Sequence, residues 1–392
     1  MEKVLKIFIL LIVISPAFAL GEGNRNLLLI AVMGLTPLFL FYKPAFMPKI
    51  DIALLFLCLC MMIFPLLFHY ETMRWSTVLY SCMFCLFFMT YARLLNHSSF
   101  TIEMYSRLLK NLIYAFCIAL ILQQICVLFN LPIINKSNYS LLEPWKLNSL
   151  TSEPSHTARL VAILMYSLLW MEDKIAGEKV EFTQSYKNHK KVWLAFFWVM
   201  VTSISGTAIL MILVVVLKYF KRQQIIQGCI SLIIFVFILS FVQFKPVQRV
   251  YKITEAALTF NKREMMKVDH SASLRLIPMM VCFEKLDLTT LNGWTGHGVD
   301  YTSKIMYKNV SGVREGYTSG GYGIIALEYG FIPFMIITSF TLGICYHKKN
   351  KLQSVILWFF CCFFLGINIQ IAWAFIFLSY TNKQFDNDTY LH

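Results

Sequence analysis

Charge is the scarcest feature of this sequence. Only 14% of its 392 residues are Asp, Glu, Lys or Arg, against about 25% in an average soluble domain. Beside 58% hydrophobic residues and a mean hydropathy of +0.63, that scarcity excludes a soluble globule, which has no way to hide so much apolar surface from water. Low-complexity tracts, Pro- or Ser-rich linkers and internal repeats are also missing, so residues 1–392 read as one membrane domain. No P-loop, HExxH, GxSxG or kinase motif appears, and nothing suggests ATP. The eleven Cys lie mostly in apolar runs, and no His-containing set completes a metal site. No metal and no cofactor is therefore expected. Cys282 stands alone in its polar segment, so that segment cannot close a disulfide on itself.

What the chain does have is apolar runs of membrane-crossing length. An α-helix needs about twenty apolar residues to cross a bilayer, and the sequence offers about twelve such spans, or ten if two doubtful pairs are single helices. They fall near 4–20, 27–42, 52–69, 76–92, 111–130, 156–172, 193–204, 206–218, 224–243, 322–345, 353–368 and 369–381. The doubtful pairs are 193–218 and 353–381, with turns expected at Gly206 and at Gly366–Asn368. The expected fold is thus an all-α polytopic membrane protein in a lipid bilayer.

The net charge of +14 does not imply nucleic acid, because its Lys and Arg sit in short clusters between apolar runs. Such clusters mark the cytoplasmic side. Lys3, Lys43, Arg93, Lys110, Lys187, Lys190, Lys221 and Lys348 fall on one side of the expected membrane, while the short loops of the other hold only Arg25, Arg74, Lys136 and Lys146. Both termini are then cytoplasmic. The N-terminal run ends in a small-residue AFA stretch that also suits a signal peptide; an uncleaved anchor is the preferred reading.

Two outer loops remain, 131–155 and the much longer 244–322. A loop of about eighty residues exceeds what connection requires, and its Trp294, Phe283 and several Tyr argue against disorder. Chemistry-bearing residues gather on this side. In the stretch 148–160, a helix starting near Pro154, capped by Ser152 or Glu153, puts His156 and Arg159 three apart on one face. An ionisable group at that depth is a functional candidate; the plain alternative is a capped helix with a snorkelling Arg. SISGTAIL (203–210) reads as a turn or a close helix contact. HSASLRLIPMM (270–280) reads as an amphipathic helix with Leu274, Ile277 and Met280 on one face and Arg275 on its polar edge, where a guanidinium matches phosphate oxygens. GWTGHGVD (293–300) and REGYTSGGYGIIALEYG (314–330) offer glycine turns whose N–H groups approach anions. They also offer His297 and Asp300 as acid–base groups, Arg314, and Glu328 at the start of the span 322–345.

These features together resemble the O-antigen polymerase (Wzy) and O-antigen ligase superfamily of bacterial envelope glycosyltransferases. The resemblance rests on the span count, the two outer loops and short motifs: SEPS (152–155) with Arg159, SGTA (205–208), Arg275, Gly296-His297-Gly298, and Gly320-Gly321-Tyr322 running into Glu328-Tyr329-Gly330. Ligases of that superfamily carry a His where this chain has Ser319, and an SRT-like Arg where it has Gly206; both departures favour a polymerase. The resemblance implies an inner-membrane enzyme that joins undecaprenyl-diphosphate-linked repeat units outside the membrane, without metal, alongside a chain-length regulator. It implies Arg159, Arg275 and Arg314 as diphosphate ligands and a base among Glu153, His156, His297 and Glu328. A ligase is the nearest alternative. A flippase would gather its polar groups near the bilayer midplane, which this pattern does not do.

Overall fold

The computed structural model describes residues 1–14, 27–42, 47–135, 139, 141, 143–203, 205–220, 262–268, 270–310 and 313–387. The expected span 224–243, the first part of the long loop (244–261) and the AFA stretch lie outside them. Among the described residues every regular element is helical.

The first five helices are α1 (Glu2–Val13), α2 (Leu27–Tyr42), α3 (Pro48–Phe68), α4 (Trp75–Asn96) and α5 (Ile102–Leu128). Three of these, α3, α4 and α5, are long and apolar enough to cross a membrane. Their outward faces carry Ile52, Leu55, Phe56 and Leu59 on α3 and Ile118, Ile121, Leu122 and Ile125 on α5, all exposed. Exposed apolar faces of that extent are what lipid covers. Pro48 opens α3, where its missing N–H costs nothing. One turn in, Asp51 accepts the Met47 N–H and pairs with Arg93 of α4 at 2.8 Å. Both charges are largely buried, and each needs the other there.

The centre of the fold is α6 (Pro154–Ala176) packed against α5, α9 (Gly206–Val216) and the last helix, α17 (Gln370–Asn387). From Thr157 to Glu172 every residue of α6 is buried, so this stretch of the helix lies inside the fold. Between α6 and α9 lie α7 (Phe182–Asn188) and α8 (Lys190–Thr202). α8 ends at Thr202 and α9 begins at Gly206, the residue at which a turn is expected.

Residues 262–328 form a small body with its own core. It comprises α10 (Lys262–Val268), α11 (His270–Glu284), α12 (Leu291–Thr295), α13 (Tyr301–Asn309) and α14 (Tyr322–Glu328). Met265, Ile277, Val281, Cys282, Met306, Val310 and Leu327 are its buried centre, with Leu274 and Met280 packed against them. The apolar face expected on 270–280 is thus the face that makes this core. The span expected at 322–345 is divided: α14 ends at Glu328, and α15 (Phe331–Cys345) begins after Gly330. The reason is local. Gly330 has φ +96, and a Cβ there would meet the Trp294 carbonyl oxygen at 2.1 Å. The backbone must turn at that point for two chain segments to cross. Next, α16 (Lys351–Trp358) runs into a π-helical turn, Phe359–Phe363, and a bend before α17, at the Gly366–Asn368 position where a break is expected.

Candidate active site

At the N-terminal end of α6 the polar sequence 148–157 is folded down by hydrogen bonds. Gln123 of α5, 1% exposed, donates to the carbonyl of Ile134 (2.8 Å) and accepts the Ser149 N–H (2.8 Å). Asn135 donates to the carbonyls of Ser149 and Thr151. Thr157 donates to the Asn148 carbonyl at 2.6 Å. Buried polar groups of a loop need such partners, and these set where α6 starts. Glu153 is the N-cap residue by backbone geometry, yet its side chain does not cap the helix. Its carboxylate accepts from Ser155 Oγ at 3.2 Å and lies 4.0 Å from His156 Nε2, leaving it available to its surroundings.

Those surroundings are a cavity of about 410 Å³ lined by Glu153, Ser155, His156 and Arg159 of α6, Thr77 of α4, Asp300 and Thr302 of the α13 start, Thr318 to Gly320, Ile324 and Glu328 of the α14 region, and Phe364, Leu365, Asn368 and Ile369. His156 and Arg159, expected on one helix face, both line it. Arg159 is only 3% exposed.

Opposite stands Glu328. The break at Gly330 leaves it in the small body 262–328, outside the apolar helix Phe331–Cys345. Thr302 gives its backbone N–H (3.1 Å) and its hydroxyl to the same carboxylate oxygen, Oε1. No ion pair forms on Glu328 among the described residues. Burial pushes its pKa up to about 7, against the lowering pull of the two Thr302 hydrogen bonds. A carboxyl poised near neutrality can take or give a proton at working pH.

The Gly296-His297-Gly298 turn serves a different end from the anion cradle its glycines suggest. The His297 N–H donates to the Leu327 carbonyl (2.9 Å) and the Gly298 N–H to the Glu328 carbonyl (3.1 Å). With those donors engaged inside the protein, none points at a ligand. The turn instead clasps the backbone of Glu328. A Cβ at Gly296 would lie 2.1 Å from the Glu328 carbonyl oxygen, so the clasp needs glycine there. His297 does not line the cavity; its ring stacks on Tyr301 with centroids 4.7 Å apart, and Nδ1 lies 3.2 Å from the Leu327 carbonyl. Burial is the main cause that lowers its pKa. Arg314 is exposed and also absent from the lining. Arg275 belongs to α11, and its side chain lies outside the described residues.

Thr302, Thr77 and Asn368 were not legible as site residues. Thr302 follows Asp300 in sequence, but only the fold sets it on Glu328. Asn368 is bound by the Ser81 hydroxyl at 2.5 Å, a contact across 287 residues that no spacing rule reaches. No protein-family model matches the chain, and no curated protein matches its sequence.

Proposed function

We propose that the chain is a surface polysaccharide polymerase of the O-antigen type. On this reading it acts on the outer side of a bacterial inner membrane, with both termini cytoplasmic and a chain-length regulator as partner. The observation that carries the proposal is the meeting of buried Arg159 with Glu153, His156 and Glu328 in one cavity beside membrane-length apolar helices. The resemblance of SEPS with Arg159 and of Glu328-Tyr329-Gly330 to the polymerase family supports it.

The donor is a glycan on undecaprenyl diphosphate, and the acceptor is a hydroxyl at the non-reducing end of the next lipid-linked repeat. The acceptor oxygen attacks the donor's anomeric carbon, forming the new glycosidic bond. The bond from that carbon to the diphosphate oxygen breaks, and the diphosphate leaves with the electron pair. Arg159 stabilises the charge that grows on the leaving diphosphate, a preorganised electrostatic effect in a buried setting. Glu328 takes the hydroxyl proton. Glu153 and His156, at the cavity wall, orient the acceptor through hydrogen bonds.

Gene deletion followed by gel analysis of surface glycan tests this. Core carrying a single repeat is the expected outcome. An unsubstituted core with polymer retained on the lipid carrier would mean a ligase, and repeats trapped inside the cell would mean a flippase. Complementation with Arg159→Ala should leave single repeats despite normal membrane levels; normal long chains from that variant would overturn the assignment.

A further inference from the structure

We propose that Arg74 is a second cation for the diphosphate of the lipid-linked substrate, held at the cavity rim by Asp300. This rests on the polymerase reading and adds to it a residue that neither the motifs nor the resemblance singles out.

The charge lining the cavity is poorly matched to a diphosphate. Among the described residues lining the cavity, Arg159 is the one Lys or Arg, and the same lining includes three carboxyl groups, Glu153, Asp300 and Glu328. A diphosphate carries negative charge on both phosphates, so a single guanidinium among three acids is a poor receptor for it. Arg314 does not line the cavity. Arg74 immediately precedes α4, and its carbonyl accepts the Thr77 N–H at 3.1 Å. Thr77 itself lines the cavity, and residues three apart at a helix start share a face. The Arg74 Nη1 lies 2.9 Å from Asp300 Oδ2, and Asp300 is a lining residue. The guanidinium is therefore one side chain away from the cavity.

Its exposure suits the role. The Arg74 side chain is 61% exposed and that of Asp300 26%. Exposed ion pairs of this kind contribute little to stability, so the guanidinium exchanges Asp300 for a stronger anion at small cost. A planar guanidinium fork matches phosphate oxygens better than any other side chain. Asp300 gives Arg74 an anionic partner whose place the diphosphate takes.

The test uses the full chain purified in detergent, with undecaprenyl diphosphate as the probe and inorganic pyrophosphate as competitor. Arg74→Ala should bind the lipid about tenfold more weakly, the loss of a charged hydrogen-bonded contact. Pyrophosphate competition should weaken with it, and the thermal midpoint should stay put. Asp300→Asn breaks the same ion pair but leaves the guanidinium, so it should bind at least as tightly as the native chain. Equal weakening in Arg74→Ala and Asp300→Asn would mean a structural latch and overturn the inference. So would lipid binding that weakens while pyrophosphate competition does not, which would place Arg74 on sugar or lipid. Arg159→Ala separates this inference from the reading beneath it. Weak binding in Arg159→Ala with native binding in Arg74→Ala sinks Arg74 alone, whereas native binding in both sinks the diphosphate site and the polymerase reading.

Discussion

Thr302 donates twice to one oxygen of Glu328, once from its backbone N–H and once from its hydroxyl. Two donors on a buried carboxylate favour its ionised form, while burial favours the protonated one. The balance near pH 7 is a property of the pair. Thr302→Val removes the hydroxyl but keeps the shape and the backbone donor. On the proposed polymerase reading, the expected result is an activity that needs a more alkaline medium than that of the native chain, measured as polymer formed from lipid-linked repeats in membrane vesicles across pH. An unmoved pH midpoint in Thr302→Val would deny the hydroxyl its role.

The native pH profile follows from the same carboxyl. A base works only when deprotonated, so activity should climb through about pH 7, the pKa of Glu328. Glu328→Gln should lower activity about 10²- to 10⁴-fold, the usual range for a lost general base, and abolish that climb. For stability the sign is opposite. A folded-state pKa above the ordinary carboxylate value gives stability that is present at low pH and lost as pH rises through about 7. Glu328→Gln should then unfold at a midpoint that no longer falls across that window. A variant that keeps the climb in activity would assign the base elsewhere, with Glu153 next in line.

Backbone crossing at Gly296 and Gly330 gives a contrast that needs no assay of activity. A Cβ at Gly330 would meet the Trp294 carbonyl oxygen at 2.1 Å, and one at Gly296 the Glu328 carbonyl oxygen at 2.1 Å, both at positive φ. Each Gly→Ala change forces two backbones apart, and backbone strain at such a position alone costs about 1–3 kcal/mol. At Gly206 a Cβ meets nothing within 4 Å among the described residues, and Ala is the better helix former by about 1 kcal/mol. Gly206→Ala should therefore match or exceed the native thermal midpoint, while Gly296→Ala and Gly330→Ala fall below it. Equal midpoints in all three would remove the clasp from the account of the site.

His297 makes the small body sensitive to acid. Its pKa is lowered chiefly by burial, so the folded state prefers the neutral ring. The stability this gives is present above the unfolded value of about 6.5 and is lost as pH falls through the folded one. Protease cleavage within 262–328 should accelerate as pH falls below the unfolded value of about 6.5, and His297→Gln should flatten that acceleration. An unchanged acid response in the variant would point to another titrating group.

Much of this molecule is readable from order alone. Runs of apolar residues place α3, α4 and α5, because a membrane-length helix must carry them without interruption. Pro154 marks the start of α6, since proline fits a first helical position. The three-residue spacing of His156 and Arg159 puts both on one face by helix geometry alone. The composition of 270–280 likewise announces a helix with an apolar side.

Where those elements meet was decided in three dimensions. The span that looked continuous from 322 to 345 breaks because Gly330 must let the Trp294 backbone pass, and Trp294 is remote in sequence. In the Gly296–Gly298 turn, one of the two glycine stretches that suggested an anion cradle, the His297 and Gly298 N–H groups instead hold the Leu327 and Glu328 carbonyls. Thr302 on Glu328, Arg74 on Asp300 and Asn368 at the cavity wall are all long-range pairings. Local pattern determines which residues share a helix face. Only packing between distant segments determines which faces share a cavity, and the chemistry proposed here belongs to that second level.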